Sequence, residues 1–292
     1  MSDSAPRGAL AAAIAFFLWG LFPLYWKLVG DVPSLQVLAH RGLWCAIAVL
    51  LVLLARRDLA WIRTLSARLW VLLAIGGALI TVNWGVYVWA VARGHVIDTS
   101  LGYFITPLVN VLLAVLVLRE RPTPLQQVAV AIAAGSVVLL GWQLGQLPWI
   151  SLVLACTFGL YGLLRKLTVI DAMRGLAVES GLMVLPAVGY LLWCEHSGHG
   201  YFMHGDTTVE LLLVIGGPVT AIPLALFAWG ARRVSMVTIG LMQYLAPTVQ
   251  LMLGVWFFHE PFDGARQIAF ALIWVALALF SGEALWRYRR GT

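Results

Sequence analysis

The chain has 292 residues, 62% of them hydrophobic and only 11% charged, with a mean hydropathy of +0.92. Soluble domains carry about 25% charged residues, so this composition excludes a water-soluble globular protein. Apolar runs recur along the whole length, which also excludes a soluble domain on a single anchor. The formal charge of +6 is spread over short loops without a basic patch, so no nucleic-acid partner is needed to explain it.

In lipid every backbone polar group must be satisfied internally, which leaves helices or a closed barrel. Unbroken apolar runs of about 20 residues, rather than alternating segments of about 10, select helices. Ten spans are predicted in chain order, at 8–29, 34–55, 69–92, 97–118, 124–142, 147–168, 174–194, 209–231, 236–258 and 265–286. The first run carries one early Arg7 and no convincing cleavage site, and reads as an uncleaved span. Turn signals separate the spans, among them Gly30 to Ser34, Arg121 to Pro124, and Gly141 through Pro148. Cys45, Cys156 and Cys194 lack CxxC spacing and read as small buried hydrophobes rather than a disulfide framework.

Span four and span nine say nearly the same thing. LGYFITPLVNVLLAVLVLRE (101–120) recurs as LMQYLAPTVQLMLGVWFFHE (241–260), matching Pro107 with Pro247, Asn110 with Gln250 and Glu120 with Glu260. The register extends from Ile75-Gly76-Gly77 to Ile215-Gly216-Gly217, and from Trp89, Arg93 and Gln127 to Trp229, Arg233 and Gln267. Span one aligns with span six at a spacing of 139, Trp19-Gly20-Leu21 against Phe158-Gly159-Leu160. Matches at Trp, Pro, Glu, Arg and Gln carry weight that matches among Leu, Val and Ala do not, and they indicate an internal duplication. The repeats are expected at 1–142 and 143–292, forming one all-α membrane domain.

With the N-terminus in the cytoplasm, fifteen basic residues fall in inner segments and three, Lys27, Arg93 and Arg266, in outer ones; Arg41 lies inside a span. That asymmetry places both termini inside. Five spans per repeat is an odd number, so the second copy crosses in the opposite sense: Lys27 falls outside and its counterpart Lys166 inside. Inverted repeats are a transporter device, because one scaffold in two orientations has near-equivalent inward-open and outward-open packings.

Polar residues inside spans are costly and should face a cavity or one another. His40 and Arg41 lie about two turns into span two. Arg41 either snorkels to the outer headgroups or contacts substrate in a wet vestibule. Asn83 and Tyr87, four apart, share a face of span three. Span four adds Tyr103; span nine adds Gln243 and Tyr244. Pro107 and Pro247 sit mid-span and are expected to kink their helices beside the cavity. Glu179 in span seven is a candidate protonatable coupling residue, with a hydrogen-bonded buried acid as the alternative. Glu120 and Glu260 read as interfacial structure. Trp26, Trp61, Trp149 and Trp193 read as an aromatic belt, whereas Trp19, Trp84 and Trp229 lie deeper. The loop from Glu195 to Thr208 holds three histidines, but their spacing matches no defined metal site. No catalytic signature and no nucleotide loop is present, so no enzyme, metal or cofactor is expected.

The stretches FFLWGLFPLYWKLV, HRGLW, NWGVYVWAV, LGYFITPLVNVLLAVLVLRER and LMQYLAPTVQLMLGVWFFHEPF resemble the RarD subgroup of the EamA family, within the drug/metabolite transporter superfamily. The resemblance covers essentially the whole chain. It implies ten helices in two inverted five-helix repeats, a bacterial inner-membrane location, and a central cavity lined mainly by spans 1, 3, 4, 6, 8 and 9. The expected function is a secondary transporter, an exporter of a small metabolite such as an amino acid or an aromatic or amphiphilic compound, with H+ as a candidate coupling ion. Its partners are the small-molecule substrate and the lipid bilayer, as a monomer or homodimer. Trp19, Asn83, Tyr87, Tyr103, Gln243 and Tyr244 are expected to form the site, with His40 and Arg41 at its outer mouth. A passive channel and a membrane enzyme acting on a lipid-like substrate are the alternatives.

Overall fold

The computed structural model describes residues 4–57, 59–119, 121–168, 170, 172–204, 206–231, 233–234 and 236–290. All its regular elements are helical: α1 (Ser4–Gly20), α2 (Phe22–Leu28), α3 (Ser34–Ala55), α4 (Ala67–Ala92), α5 (Val96–Leu118), α6 (Pro124–Leu144), α7 (Trp149–Leu167), α8 (Ala172–His196), α9 (Thr207–Ala231), α10 (Met236–Met242), α11 (Leu245–Met252) and α12 (Gly264–Arg290). A short 3₁₀ turn covers Ala60–Thr64, and a π turn, Leu253–Phe257, extends α11. Among the described residues nine helices are long and apolar enough to cross a membrane, and α1 with α2, bent by 41°, makes a tenth. The ten predicted spans therefore fall on ten observed ones, and Glu120 lies outside the described residues.

The interruptions follow from proline chemistry. Proline has no N–H to return to the carbonyl four residues back. Pro23 thus frees the carbonyl of Trp19 where α1 gives way to α2, and Gln250 of α11 donates its side-chain amide to that oxygen at 3.4 Å. Pro247 likewise frees Gln243, where span nine breaks into α10 and α11. Pro107 behaves differently: α5 runs through it uninterrupted from Val96 to Leu118. Of the two matched prolines, one thus lies where the helix breaks and the other within a continuous helix.

Packing pairs the spans across the molecule. α5 packs on α7 and α1 on α11; α4 packs on α7 and α1 on α9; α4 packs on α8 and α3 on α9. α3 also packs on α8, α5 on α11, and α6 on α12. Exchanging each span with the one five places on leaves these contacts unchanged. One close glycine–valine approach is made twice with the halves swapped. A Cβ on Gly20 of span one would lie 2.6 Å from Val249 Cβ of span nine, and a Cβ on Gly159 of span six would lie 2.9 Å from Val109 Cγ1 of span four. Small residues are what allow helices to approach this closely in lipid.

Three apolar clusters fill the interior. One joins α5, α6 and α12 through Phe104, Leu140 and Phe270; one joins α2, α4 and α7 through Trp26, Tyr87 and Leu154; the third joins α3, α4 and α8 through Val49, Leu73 and Val178.

Candidate functional site

α5 enters the bundle at His95, whose side chain makes no cap on the helix. The first N–H groups of a helix need acceptors, and here they are supplied from 164 residues away. Glu260, beyond the π turn, accepts from Val96 N at 2.6 Å and Ile97 N at 2.8 Å. Burial pushes the Glu260 carboxyl above its ordinary range, opposed by these two donors. Several other ties gather at this end of the bundle. The Lys27 ammonium lies over Phe257 and Phe258, 5.1 and 4.9 Å from the ring centres. Arg266 pairs with Asp263 at 3.1 Å and with Asp98 at 3.7 Å. Gln36 donates to His199 O at 2.7 Å and accepts from Tyr201 N at 3.1 Å, holding the α8–α9 loop so that Phe202 lies on His40, ring centres 4.9 Å apart.

Beneath this closed end lies a polar seam. Asn83 is fully buried. Its amide donates to Leu154 O at 3.0 Å and Thr157 Oγ1 at 2.9 Å, and its oxygen accepts from the Tyr103 hydroxyl at 3.1 Å. Tyr103 and Tyr87 are neighbours at 5.9 Å, and the Tyr87 hydroxyl accepts from Gln250 at 3.4 Å. The seam thus joins spans 1, 9, 3, 4 and 6, most of those expected to line a central cavity. In the seam Asn83, Tyr103, Tyr87 and Gln250 bond to one another or to backbone, and aromatic rings lie beside it: Trp19 packs edge-on to Phe16 at 5.3 Å and against Phe227 at 5.7 Å. A cavity of about 260 Å³ lies elsewhere, between spans 2, 3 and 7, lined by Leu38, Thr81, Trp84, Glu179, Ser180 and Tyr190 among others. That cavity is lined by spans 2, 3 and 7 rather than by the set of spans the resemblance implies.

Arg41 stands beside this seam and is only 3% exposed. Its guanidinium carbon lies 4.1 Å from the ring centre of Trp84, 5.1 Å from Trp26 and 5.5 Å from Phe22, and its Nε donates to Thr220 Oγ1 at 3.0 Å. Among the described residues no carboxylate lies within ion-pair distance of it. Ring faces are negative and attract a desolvated cation with roughly 2 kcal/mol each at best, which is how an arginine is held here without an acid. Snorkelling to headgroups is not what Arg41 does. Trp26, expected in the aromatic belt, is likewise buried; it is four residues from Phe22, so both rings share the face that α2 turns toward Arg41.

Glu179 is 1% exposed. It accepts from the Tyr161 hydroxyl at 3.0 Å, with Arg165 Nη1 at 3.6 Å. Gly76 and Gly77 create its space: a Cβ on Gly76 would lie 3.2 Å from the Glu179 carboxylate, and one on Gly77 3.2 Å from its carbonyl oxygen. Trp84 lines the cavity that Glu179 also lines, while its ring carries Arg41, so the buried acid and the buried base bracket one indole.

Not all expected site residues converge. Trp19, Asn83, Tyr87 and Tyr103 meet in the seam, and His40 sits under Phe202. Tyr244 faces the other way, stacked 6.3 Å from Phe104 and beside Ser281 of α12. Gln243 lies at the break beside it. Pro107 is buried in α5, and the Pro247 carbonyl accepts from Ser100 Oγ at 2.7 Å. Thr220, Phe22 and Tyr161 were not singled out from sequence. Phe22 and Trp26 at helical spacing next to a span break was the available signal; a lone Thr gives none.

The sequence profile of the EamA-like transporter family matches residues 6–142. The chain is 42% identical over 287 residues to the uncharacterized transporter YojE of Bacillus subtilis, covering 96% of each. It is 43% identical to protein RarD of Streptomyces exfoliatus, covering 97% of this chain and 90% of that one, and 36% identical to protein RarD of Escherichia coli, covering 97% of each. One solved crystal structure aligns with a TM-score of 0.59 over 95% of this chain and 98% of its own at 24% identity, a likeness of fold alone. A multi-pass helical bundle with relatives of these names is a membrane transporter of the drug/metabolite type, and the chain belongs to the EamA family, in its RarD group.

Proposed function

We propose that this protein is a secondary transporter that exports a small metabolite, an amino acid or an aromatic or amphiphilic compound, across the bacterial inner membrane by alternating access. The two halves, 1–142 and 143–292, are inverted repeats with both termini cytoplasmic, and the site lies between them around Arg41 and the Asn83–Tyr103–Tyr87 seam. The observation that carries this reading is the swapped contact, Gly20 on Val249 and Gly159 on Val109. Two interfaces of like construction, one on each side of the seam, are what a rocking scaffold needs to exchange one closed end for the other. In this orientation the Glu260, Lys27 and Phe202 contacts close the periplasmic end.

Glu179 is the coupling residue in this reading. A buried acid held by one hydroxyl and one guanidinium, beside a cavity, can exist with or without its proton as that cavity exchanges sides. The test is flux in proteoliposomes against a metabolite library under an imposed pH gradient. Saturable, gradient-driven flux of at least one solute is expected. Glu179→Gln should lose the gradient dependence and keep solute exchange. Absence of saturable flux for every solute, or flux in Glu179→Gln that follows the gradient as in the parent, would overturn the proposal.

A further inference from the structure

Arg41 is charged, buried, and held by groups that neutralise nothing. Its Nη1 has no hydrogen-bond partner. The indole N–H of Trp26, whose ring lies against the guanidinium, is also buried and unpaired, and so is that of Trp44, one turn along α3. Neither ring nitrogen of His40 has a partner. Buried donors are nearly always satisfied, and leaving one without a partner is costly, more so when it is charged. Unsatisfied donors thus gather around a cation with no counter-ion, walled by Phe22, Trp26 and Trp84. An acid would have been the simplest partner for a structural arginine, and the nearby acid, Glu179, is engaged with Tyr161 and Arg165 instead.

We infer that the transported solute carries a carboxylate, and that Arg41 and the Trp26 indole N–H bind it, the aromatic rings taking its apolar or aromatic body. One guanidinium without a second cation balances a single negative charge, which favours a monoanion over a phosphate dianion. A planar carboxylate suits the guanidinium fork, one arm of which is left open when Nε is committed to Thr220. The solute would reach this place when the Phe202 loop lifts from His40. The inference rests on the transporter reading and narrows its substrate class.

The experiment is binding, measured apart from flux. Radiolabelled phenylacetate is offered to purified protein in detergent, with methyl phenylacetate, phenethylamine and inorganic phosphate as competitors. Saturable binding of the acid is expected, undisturbed by the ester, the amine or phosphate. Arg41→Gln should weaken it by roughly tenfold to a hundredfold, as loss of a charged hydrogen-bonding partner does, and Arg41→Lys by less. Trp26→Phe keeps a ring and removes only the N–H, so it should weaken binding several-fold even if Arg41→Gln fails to fold. Equal competition by ester or amine, unaltered binding in a folded Arg41→Gln, or no acid binding by the parent would overturn the inference. Flux of neutral or cationic solutes without acid binding would sink the carboxylate and leave the transporter standing. Acid binding without flux of any solute would do the reverse.

Discussion

Asn83 shows how a residue chosen for one reason serves another. Its position in an apolar span marked it as a cavity residue, and it does sit at the centre of the molecule. Yet its donors and its acceptor are all committed to protein, tying α4 to α5 and α7. Asn83→Ala should therefore lower stability by about 1–3 kcal/mol, leaving the Tyr103 hydroxyl and the Leu154 carbonyl without their partner. Thermal unfolding in detergent checks this. An unchanged midpoint with lost flux would return Asn83 to substrate contact. Arg41 is the opposite case: snorkelling and site contact were equally readable from sequence, and its burial speaks against the first through neighbours that no local pattern names. Phe22, Trp84 and Thr220 come from three other helices. Which buried polar groups are satisfied depends on those long-range partners, and the sequence alone does not reveal them.

Elements were more legible than sites. Apolar run length fixes a spanning helix through the thickness of the hydrocarbon, so each predicted span lies on an observed helix or helix pair. The breaks were less legible, because a proline removes one hydrogen bond and the surroundings decide whether the helix tolerates the loss. α5 tolerates Pro107; span nine, with Pro247 at the matched place, opens at Gln243 and goes on to a π turn. Helix contacts give a sharper test. Gly20→Ala and Gly159→Ala each force a methyl against a valine of a partner span, with about 1–3 kcal/mol lost to overpacking. The companion Val109→Ala removes the Cγ1 that Gly159→Ala meets, and Val249→Gly removes the Cβ that Gly20→Ala meets. Each double variant should recover much of its glycine variant's loss, with a coupling of about 0.5–3 kcal/mol, read from unfolding midpoints. Strictly additive losses would mean that the matched glycine–valine contacts between the halves are not what they look like.

At the scale of the whole molecule, the proposed duplication rests on matches at residues that rarely coincide by chance: Pro107 with Pro247, Gly20 with Gly159. The packing adds what a sequence cannot, that matched residues meet across the halves in swapped roles. Glu260 also reaches across the chain, accepting from the first N–H groups of α5. The cavity was the least legible feature. The residues expected to line it are joined to one another in the Asn83 seam, and the cavity of about 260 Å³ lies between spans 2, 3 and 7.

The proposal that the second half lies upside down relative to the first is open to a direct measurement. Lys27 and Lys166 are equivalent positions in the two halves, both exposed. In a variant without native cysteines, Lys27→Cys and Lys166→Cys are labelled singly with a membrane-impermeant maleimide, in intact spheroplasts and after permeabilisation. Labelling of position 27 in intact spheroplasts, with position 166 reacting only once the membrane is opened, is the predicted result. Labelling of both positions from the same side would contradict it.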